Sequence, residues 1–236
     1  MQTFVVGDIH GGLRALQQLM KSFTGKAGDR IIFLGDYADG WSESAQVVSF
    51  LIRLTKQYDC IFIRGNHDLW VEDWLLNGTK DDAWLQHGGF ETINSYDRLS
   101  NQEVATHLEF YESLRKFFID EENRLFVHAG FNCNHGAEAE AQEILLKDRT
   151  FWNNAIKAYS AAQAQPSLLQ LYNEIYIGHT PTFKIGKTVP VQVYNLVNMD
   201  TGAAFTGKLS MMNIHTKHVI QSDTLQDLYP EERGRN

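Results

Sequence analysis

Asp8, His10, Asp36, Asn66, His128 and His179 each stand at the end of a short apolar run, and together they form a metal-ligand inventory. Carboxylate, imidazole and amide oxygen suit manganese, iron or zinc, and the absence of thiolates among them argues against a structural zinc site. In Asp8-Ile9-His10 the two polar side chains are two residues apart, the spacing that points both to one side of extended backbone. Cations held by such groups activate water and polarise phosphoryl or carbonyl oxygens.

The runs that must position them are β-rich and end abruptly in glycine and polar residues. They cover 3–6, 30–34, 60–63, 124–127, 174–177 and 194–199. Between the first of them lie helical periods. Leu13, Leu16, Leu19, Met20 and Phe23 share one face, as do Val47, Val48, Leu51 and Leu54 behind Ser42 as an N-cap. Strand, helix and strand at this spacing predict right-handed βαβ units. In such sheets functional groups gather beyond the carboxyl ends of the strands, where these six residues lie. A helical insertion is expected over about 69–120, with Ser100 and Glu103 as a capping box. Helix is expected again within 137–172. Short strands follow at 186–189, 191–199, 208–214 and 217–220. The reading is one domain over 1–222, then a polar tail, 223–236, that frays.

The 236 residues are 43% apolar and 21% charged, enough to bury a core without a metal or disulfide to hold it. The metal ligands therefore ask for a functional explanation. A formal charge of −8 and no basic run argue against nucleic acid as a partner. No apolar stretch approaches a membrane span and the first residues do not form a signal sequence, so the expectation is a cytoplasmic protein with no membrane partner. Two cysteines, Cys60 and Cys133, are too few for a disulfide scaffold.

Five motifs in order, Gly7-Asp8-Ile9-His10-Gly11, Gly35-Asp36-Tyr37-Ala38-Asp39, Gly65-Asn66-His67-Asp68, His128-Ala129-Gly130 and Gly178-His179-Thr180, resemble the calcineurin-like metallophosphoesterases. More narrowly, they look like the phosphoprotein phosphatase family of serine/threonine phosphatases in its compact bacterial and phage branch. The resemblance implies an α/β class fold, an α/β/β/α sandwich of two mixed β-sheets flanked by helices. It also implies two divalent metal ions, manganese first, with iron or zinc as options. Asp8 and His10 would bind one metal, Asp36 would bridge, and Asn66, His128 and His179 would bind the other, Asn66 also facing the substrate phosphate. His67 would be the general acid, oriented by Asp39, a pairing that can hold an imidazole protonated near neutral pH.

One departure stands out. The family's second motif usually continues with arginine after the aspartate, and here Gly40-Trp41 follow Asp39. Arg149 is the expected replacement as a phosphate ligand. Asp68 reads as a hydrogen-bond acceptor within its motif, and Asp200 as support for a histidine ligand. Trp41, Trp70, Trp74 and Trp84 could line a groove, although most tryptophans are core. His87, His107, His135, His215 and His218 lie outside the motifs and read as structural, and Arg64 is left without a role.

The leading expectation is dephosphorylation of phosphoserine or phosphothreonine in a phosphoprotein or phosphopeptide, by direct attack of a metal-bridging hydroxide with His67 as acid. The alternative keeps the metals but cleaves a dinucleoside polyphosphate or a phosphodiester, which brings more phosphates and an adenine to stack. The missing arginine counts against polyphosphate. A catalytically silent binding protein ranks last, because all six ligand positions and His67 are filled.

Overall fold

The computed structural model describes residues 1–235. Ten strands form two five-stranded sheets. The strands are β1 (Thr3–Val6), β2 (Arg30–Phe33), β3 (Asp59–Phe62), β4 (Phe117–Ile119), β5 (Arg124–Val127), β6 (Glu174–Ile177), β7 (Val191–Val193), β8 (Leu196–Asn198), β9 (Lys208–Asn213) and β10 (Val219–Thr224). One sheet runs β10-β9-β1-β2-β3 and the other β4-β5-β6-β8-β7. In the first sheet β1, β2 and β3 run parallel and β9 and β10 join antiparallel beside β1; in the second a parallel centre, β5-β6-β8, is flanked by the antiparallel edges β4 and β7. The helices are α1 (Leu13–Ser22), α2 (Ser44–Leu54), α3 (Asn66–Asn77), α4 (Asp82–Trp84), α5 (Phe90–Tyr96), α6 (Asn101–Glu112), α7 (Gln142–Lys147), α8 (Thr150–Ser160) and α9 (Leu225–Leu228).

Strand alternation sorts the side chains into three layers. Phe4, Val6, Ile31 and Phe33 face the helices α1 and α2, whereas Val5 and Ile32 point the other way, into a core shared with Phe126, Tyr176 and Val197 of the second sheet. Leu125, Val127, Ile175 and Ile177 then face a third cluster that holds Leu145, Phe151 and Trp152 of α7 and α8. Each central strand is thus buried on both faces, which is why it reads as an unbroken apolar run rather than an alternation. Each large apolar side chain removed from water this way contributes about 1.5–3 kcal/mol. The architecture is the expected α/β/β/α sandwich of two mixed sheets.

Several local expectations change. The run 191–199 is a hairpin: β7 and β8 are joined by Tyr194 and Asn195, and Tyr194 takes the positive φ of 52° that a two-residue turn needs. No strand forms over 186–189, because Gly186, at φ 71°, closes a short 3-10 helix over Thr182–Ile185. The strand placed at 217–220 starts later and extends to Thr224. Ser42 does not cap α2; its amide and hydroxyl instead bond the Glu232 carboxylate at 3.0 and 2.7 Å. The segment expected to fray after 222 is packed through residue 235, with Leu225 and Tyr229 buried and Tyr229 stacked on Trp41 at 5.1 Å. The Ser100 and Glu103 capping box forms as read. Among the described residues no helix is long and apolar enough to cross a membrane.

Candidate active site

The loops that leave β1, β2, β3, β5 and β6 meet at one edge of the sandwich, and all six ligand-type residues stand there. Asp8, His10, Asp36, His128 and His179 are buried, and Asn66 opens α3 at half-burial. His10, Asp36, Asp39 and His179 adopt positive φ, 52°, 52°, 70° and 64°, so the backbone turns back at each to aim its side chain inward. Gly65 lets the third loop approach, since a Cβ there would lie 2.1 Å from Asp36 Oδ1. Asp68 binds the same junction from below: its oxygens accept the amides of Asp36, Tyr37 and Gly65 at 3.0, 3.0 and 2.7 Å, the acceptor role read from its motif.

Asp36 is the hub. Its Oδ2 lies 3.5 Å from His10 Nε2 and 3.4 Å from His128 Nε2, while its Oδ1 accepts the His67 amide at 2.9 Å. On one side His128 Nε2 is 3.2 Å from both Asn66 Oδ1 and His179 Nδ1. The far ring nitrogen of each histidine faces backbone carbonyl oxygen. Nδ1 of His10 donates to Asp39 at 2.8 Å and Nδ1 of His128 to Leu34 at 2.8 Å, while Nε2 of His179 lies 3.2 Å from the Lys147 carbonyl oxygen. With those protons placed, the lone pairs of His10 and His128 converge on the Asp36 carboxylate. Such convergence repels itself unless a cation sits within it.

Electrostatics show the same demand. Burial alone would lower His128, yet the Asp36 charge and hydrogen bond raise it to about 10; a proton is held where a metal would serve as well. His179 is driven down to about 2 by burial and then by His128, so its ring is a neutral donor. Burial would raise Asp36, but His128, His67 and His10 together hold it well below the usual carboxylate range. Asp8 is pushed well above that range by burial and by Asp200, and its Oδ1 is buried without a hydrogen-bond partner among the described residues, while Oδ2 accepts the His179 amide at 2.9 Å. An orphaned carboxylate oxygen beside converging imidazoles fits a divalent ion. The closest groupings of possible ligand atoms are His10, Asp36 and His67, and Asp36, His128 and His179, so Asp8 sits slightly outside the first.

His67 differs from the other histidines in its partner. Its Nδ1 bonds Asp39 Oδ2 at 2.8 Å, leaving Nε2 directed to the cleft. Asp39 is fully buried and saturated: Oδ2 also accepts Trp84 Nε1 at 2.9 Å and Oδ1 accepts Thr92 Oγ1 at 2.6 Å. Gly40 has not shifted Asp39 away. Trp84 and Thr92, which fix it, carried no sequence signal beyond being polar-tipped residues in the insertion.

The cleft above, about 280 Å³, is lined by Arg149, Lys184 and Arg235 as well as by Trp70, His87 and Phe205. Arg149 arrives as expected, its Nε 3.2 Å from His179 Nε2. Lys184 and Arg235 were not anticipated. Of the four tryptophans only Trp70 lines the cleft, 5.0 Å from the His67 ring. Trp41 and Trp84 are fully buried, and Trp74 packs on Trp84 and Tyr96. His87 also lines the cleft, its ring 6.2 Å from that of Trp70. Asp200 reaches no histidine among the described residues; its Oδ1 closes a turn onto the Gly202 amide at 2.9 Å, and burial raises it to about 6. Arg64 is structural, bonded to the Tyr111 carbonyl and Glu72.

This edge of the sandwich defines a metal-assisted phosphoesterase, and the family comparison agrees. The model of the calcineurin-like phosphoesterase family matches residues 1–196, and the chain belongs to that family. Its members use pairs of divalent metals, consistent with the clusters around Asp36. The chain is 25% identical, over 98% of both chains, to the asymmetrical bis(5'-nucleosyl)-tetraphosphatase PrpE of Halalkalibacterium halodurans. Among solved structures it resembles a candidate diadenosine tetraphosphatase, with a TM-score of 0.65 at 17% identity, covering 93% of this chain and 92% of that one. A serine/threonine phosphatase from Saccharomyces cerevisiae shares the fold, with a TM-score of 0.62 at 16% identity over 94% and 80% of the chains.

Proposed function

We propose that the chain is a metal-dependent hydrolase of dinucleoside polyphosphates. The observation that carries this reading is the cationic surround of the cleft: Arg149, Lys184 and Arg235 offer more positive charge than one phosphomonoester needs. Trp70 and Phe205 beside them present aromatic faces on which a base can stack. The full-length relatedness to named tetraphosphatases supports the same choice. It also answers the objection drawn from Gly40, because guanidinium groups reach the cleft from elsewhere.

Asp8, His10 and Asp36 would hold one divalent ion, and Asp36, Asn66, His128 and His179 the other, manganese being the first candidate. When bound, such a pair supplies an activated water and neutralises charge on the phosphate under attack. The protein groups do the rest. Arg149 and Asn66 orient the phosphate, and His67, held by Asp39, gives its Nε2 proton to the departing oxygen. A departing phosphate is a weaker base than a serine alkoxide, so this proton matters less for an anhydride than for a phosphoserine. The compartment consistent with a nucleotide substrate is the cytoplasm.

The test is a side-by-side rate measurement on chelator-stripped protein recharged with manganese, using diadenosine tetraphosphate, a phosphoserine peptide and bis-p-nitrophenyl phosphate. At least tenfold higher kcat/KM on the dinucleotide is expected. Preference for the peptide would reinstate a protein phosphatase, and preference for the diester a phosphodiesterase.

A further inference from the structure

Gly40 and Trp41, the residues that depart from the family pattern, are in contact with the last described residues of the chain. Gly40 stands at φ 132°, and a Cβ there would lie 3.3 Å from both Arg235 Cγ and the His10 carbonyl oxygen, so glycine at 40 lets the Arg235 stem pack close. The next three residues grip the same segment. Trp41 stacks on Tyr229 at 5.1 Å, Ser42 donates twice to Glu232, and Glu43 accepts the Tyr229 hydroxyl. Within the segment Gln226 Nε2 bonds the Glu232 carbonyl at 2.9 Å, and from the other side the Ala204 carbonyl accepts the Arg235 amide at 2.9 Å.

The result is a strap over residues 225–235 that ends in a guanidinium at the cleft. Arg235 lines the cleft with His10, Asp36, His67 and Arg149, and its Cζ lies 5.6 Å from the Phe205 ring centroid. Its Nε is buried and has no hydrogen-bond partner among the described residues. A buried guanidinium nitrogen left without an acceptor, beside converging metal-ligand atoms, asks for an anion from outside the chain.

We infer that Arg235 is a substrate-phosphate ligand that takes over from the arginine absent after Asp39, and that the strap gripped by residues 41–43 delivers it. The inference rests on the phosphate-hydrolase reading above and deepens it by naming the group that holds the phosphate on the Gly40 side, opposite Arg149. It also gives the departure a cause: glycine at 40 and tryptophan at 41 are one half of a fit whose other half is the strap.

The experiment measures binding of inorganic phosphate to manganese-loaded protein by titration calorimetry, with metal content and Tm recorded for each variant. R235A is expected to weaken phosphate by about ten- to a hundredfold, the usual range for a charge-assisted pair, with metal content unchanged. R235M keeps the stem against Phe205 and removes only the charge, so it should match R235A even where the alanine lowers Tm. Glu232→Ala, which frees Ser42 but leaves the guanidinium, should weaken phosphate by a smaller factor, about threefold. Phosphate affinity within twofold of the parent in R235M would overturn the inference, and an unaffected Glu232→Ala would overturn its strap. Phosphate binding does not require that the dinucleotide be the substrate. Failure of the tetraphosphatase reading would show instead as a parent protein that binds phosphate through Arg235 yet leaves diadenosine tetraphosphate intact.

Discussion

The bottom of the cleft and its surround are made in contrasting ways. Asp8, His10, Asp36, Asp39 and His67 are at most 3% exposed and are tied by backbone amides, carbonyls and one another across the ends of β1, β2, β3 and β6. Arg149 and Lys184 are exposed and Arg235 half-buried, and they come from separate loops that share no sheet. Buried, multiply tethered groups suit chemistry that needs fixed geometry, whereas long cations on loops suit recognition of a charged substrate. One region sets the reaction and the other chooses what enters. The contrast predicts that changes below lower kcat and changes above raise KM.

The largest effect should follow removal of the hub. Asp36→Asn is expected to lower kcat/KM by at least ~10⁴-fold, comparable to losing an essential catalytic group, and to reduce bound metal; rate and metal stoichiometry on the same sample check it. A variant that kept both metals and its activity would remove Asp36 from the centre. Next comes the acid: His67→Asn should cost about 10²–10⁴-fold in kcat on a phosphoserine peptide, and less on the anhydride, whose leaving group needs the proton less. Equal losses on the two substrates would deny His67 that role.

Arg149→Ala tests the surround. KM for the dinucleotide should rise by roughly tenfold or more with kcat little changed, and a pure kcat effect would blur the distinction between the two regions. Trp84→Phe, which takes one of the donors from Asp39 Oδ2, should lower kcat by about tenfold through a mispositioned His67, without moving KM.

An effect on stability rather than rate lies outside the cleft, at His107, whose ring sits between Ser49 Oγ at 2.9 Å and the Tyr96 hydroxyl at 3.1 Å. Burial lowers it to about 4, against the pull of Glu103. An unfolded chain, with its imidazole near ~6.5, takes up a proton that the fold refuses. Stability is therefore whole above about pH 6.5 and declines as pH falls toward 4, by about 2–3 kcal/mol from this residue. Denaturant midpoints across that window should slope less in His107→Gln than in the parent.

The same division explains what the sequence disclosed. Asp8 with His10, Asp36 with Asp39 and Asn66 with His67 are local motifs, each compressed into one strand-end loop, so type and spacing reveal them. The strands were legible because burial on both faces leaves continuous apolar runs. Lys184 and Arg235 are single basic residues with no pattern around them, and only tertiary packing brings them to the cleft. Trp84 acts through one hydrogen bond to Asp39 and Thr92 through two, relations that no period or spacing encodes. The 191–199 hairpin escaped notice because Tyr194 is an unusual residue for a positive-φ turn position. Gly40 by itself signals a loss of positive charge from the cleft, whereas Lys184 and Arg235 bring charge to it from loops far along the chain.

Four side chains in the cleft, those of His10, Asp36, Asp39 and His179, ride on left-handed backbone, which costs an L-residue about 1 kcal/mol relative to glycine. Glycine at any of the four would relieve that strain only by giving up the ligand or hydrogen-bonding side chain it carries, and at Asp39 it would leave His67, Trp84 and Thr92 without their acceptor. Conversely, an engineer seeking a hardened version of this protein should leave these turns alone and look for stability in the helices behind the sheets, where no such conflict between folding and catalysis exists.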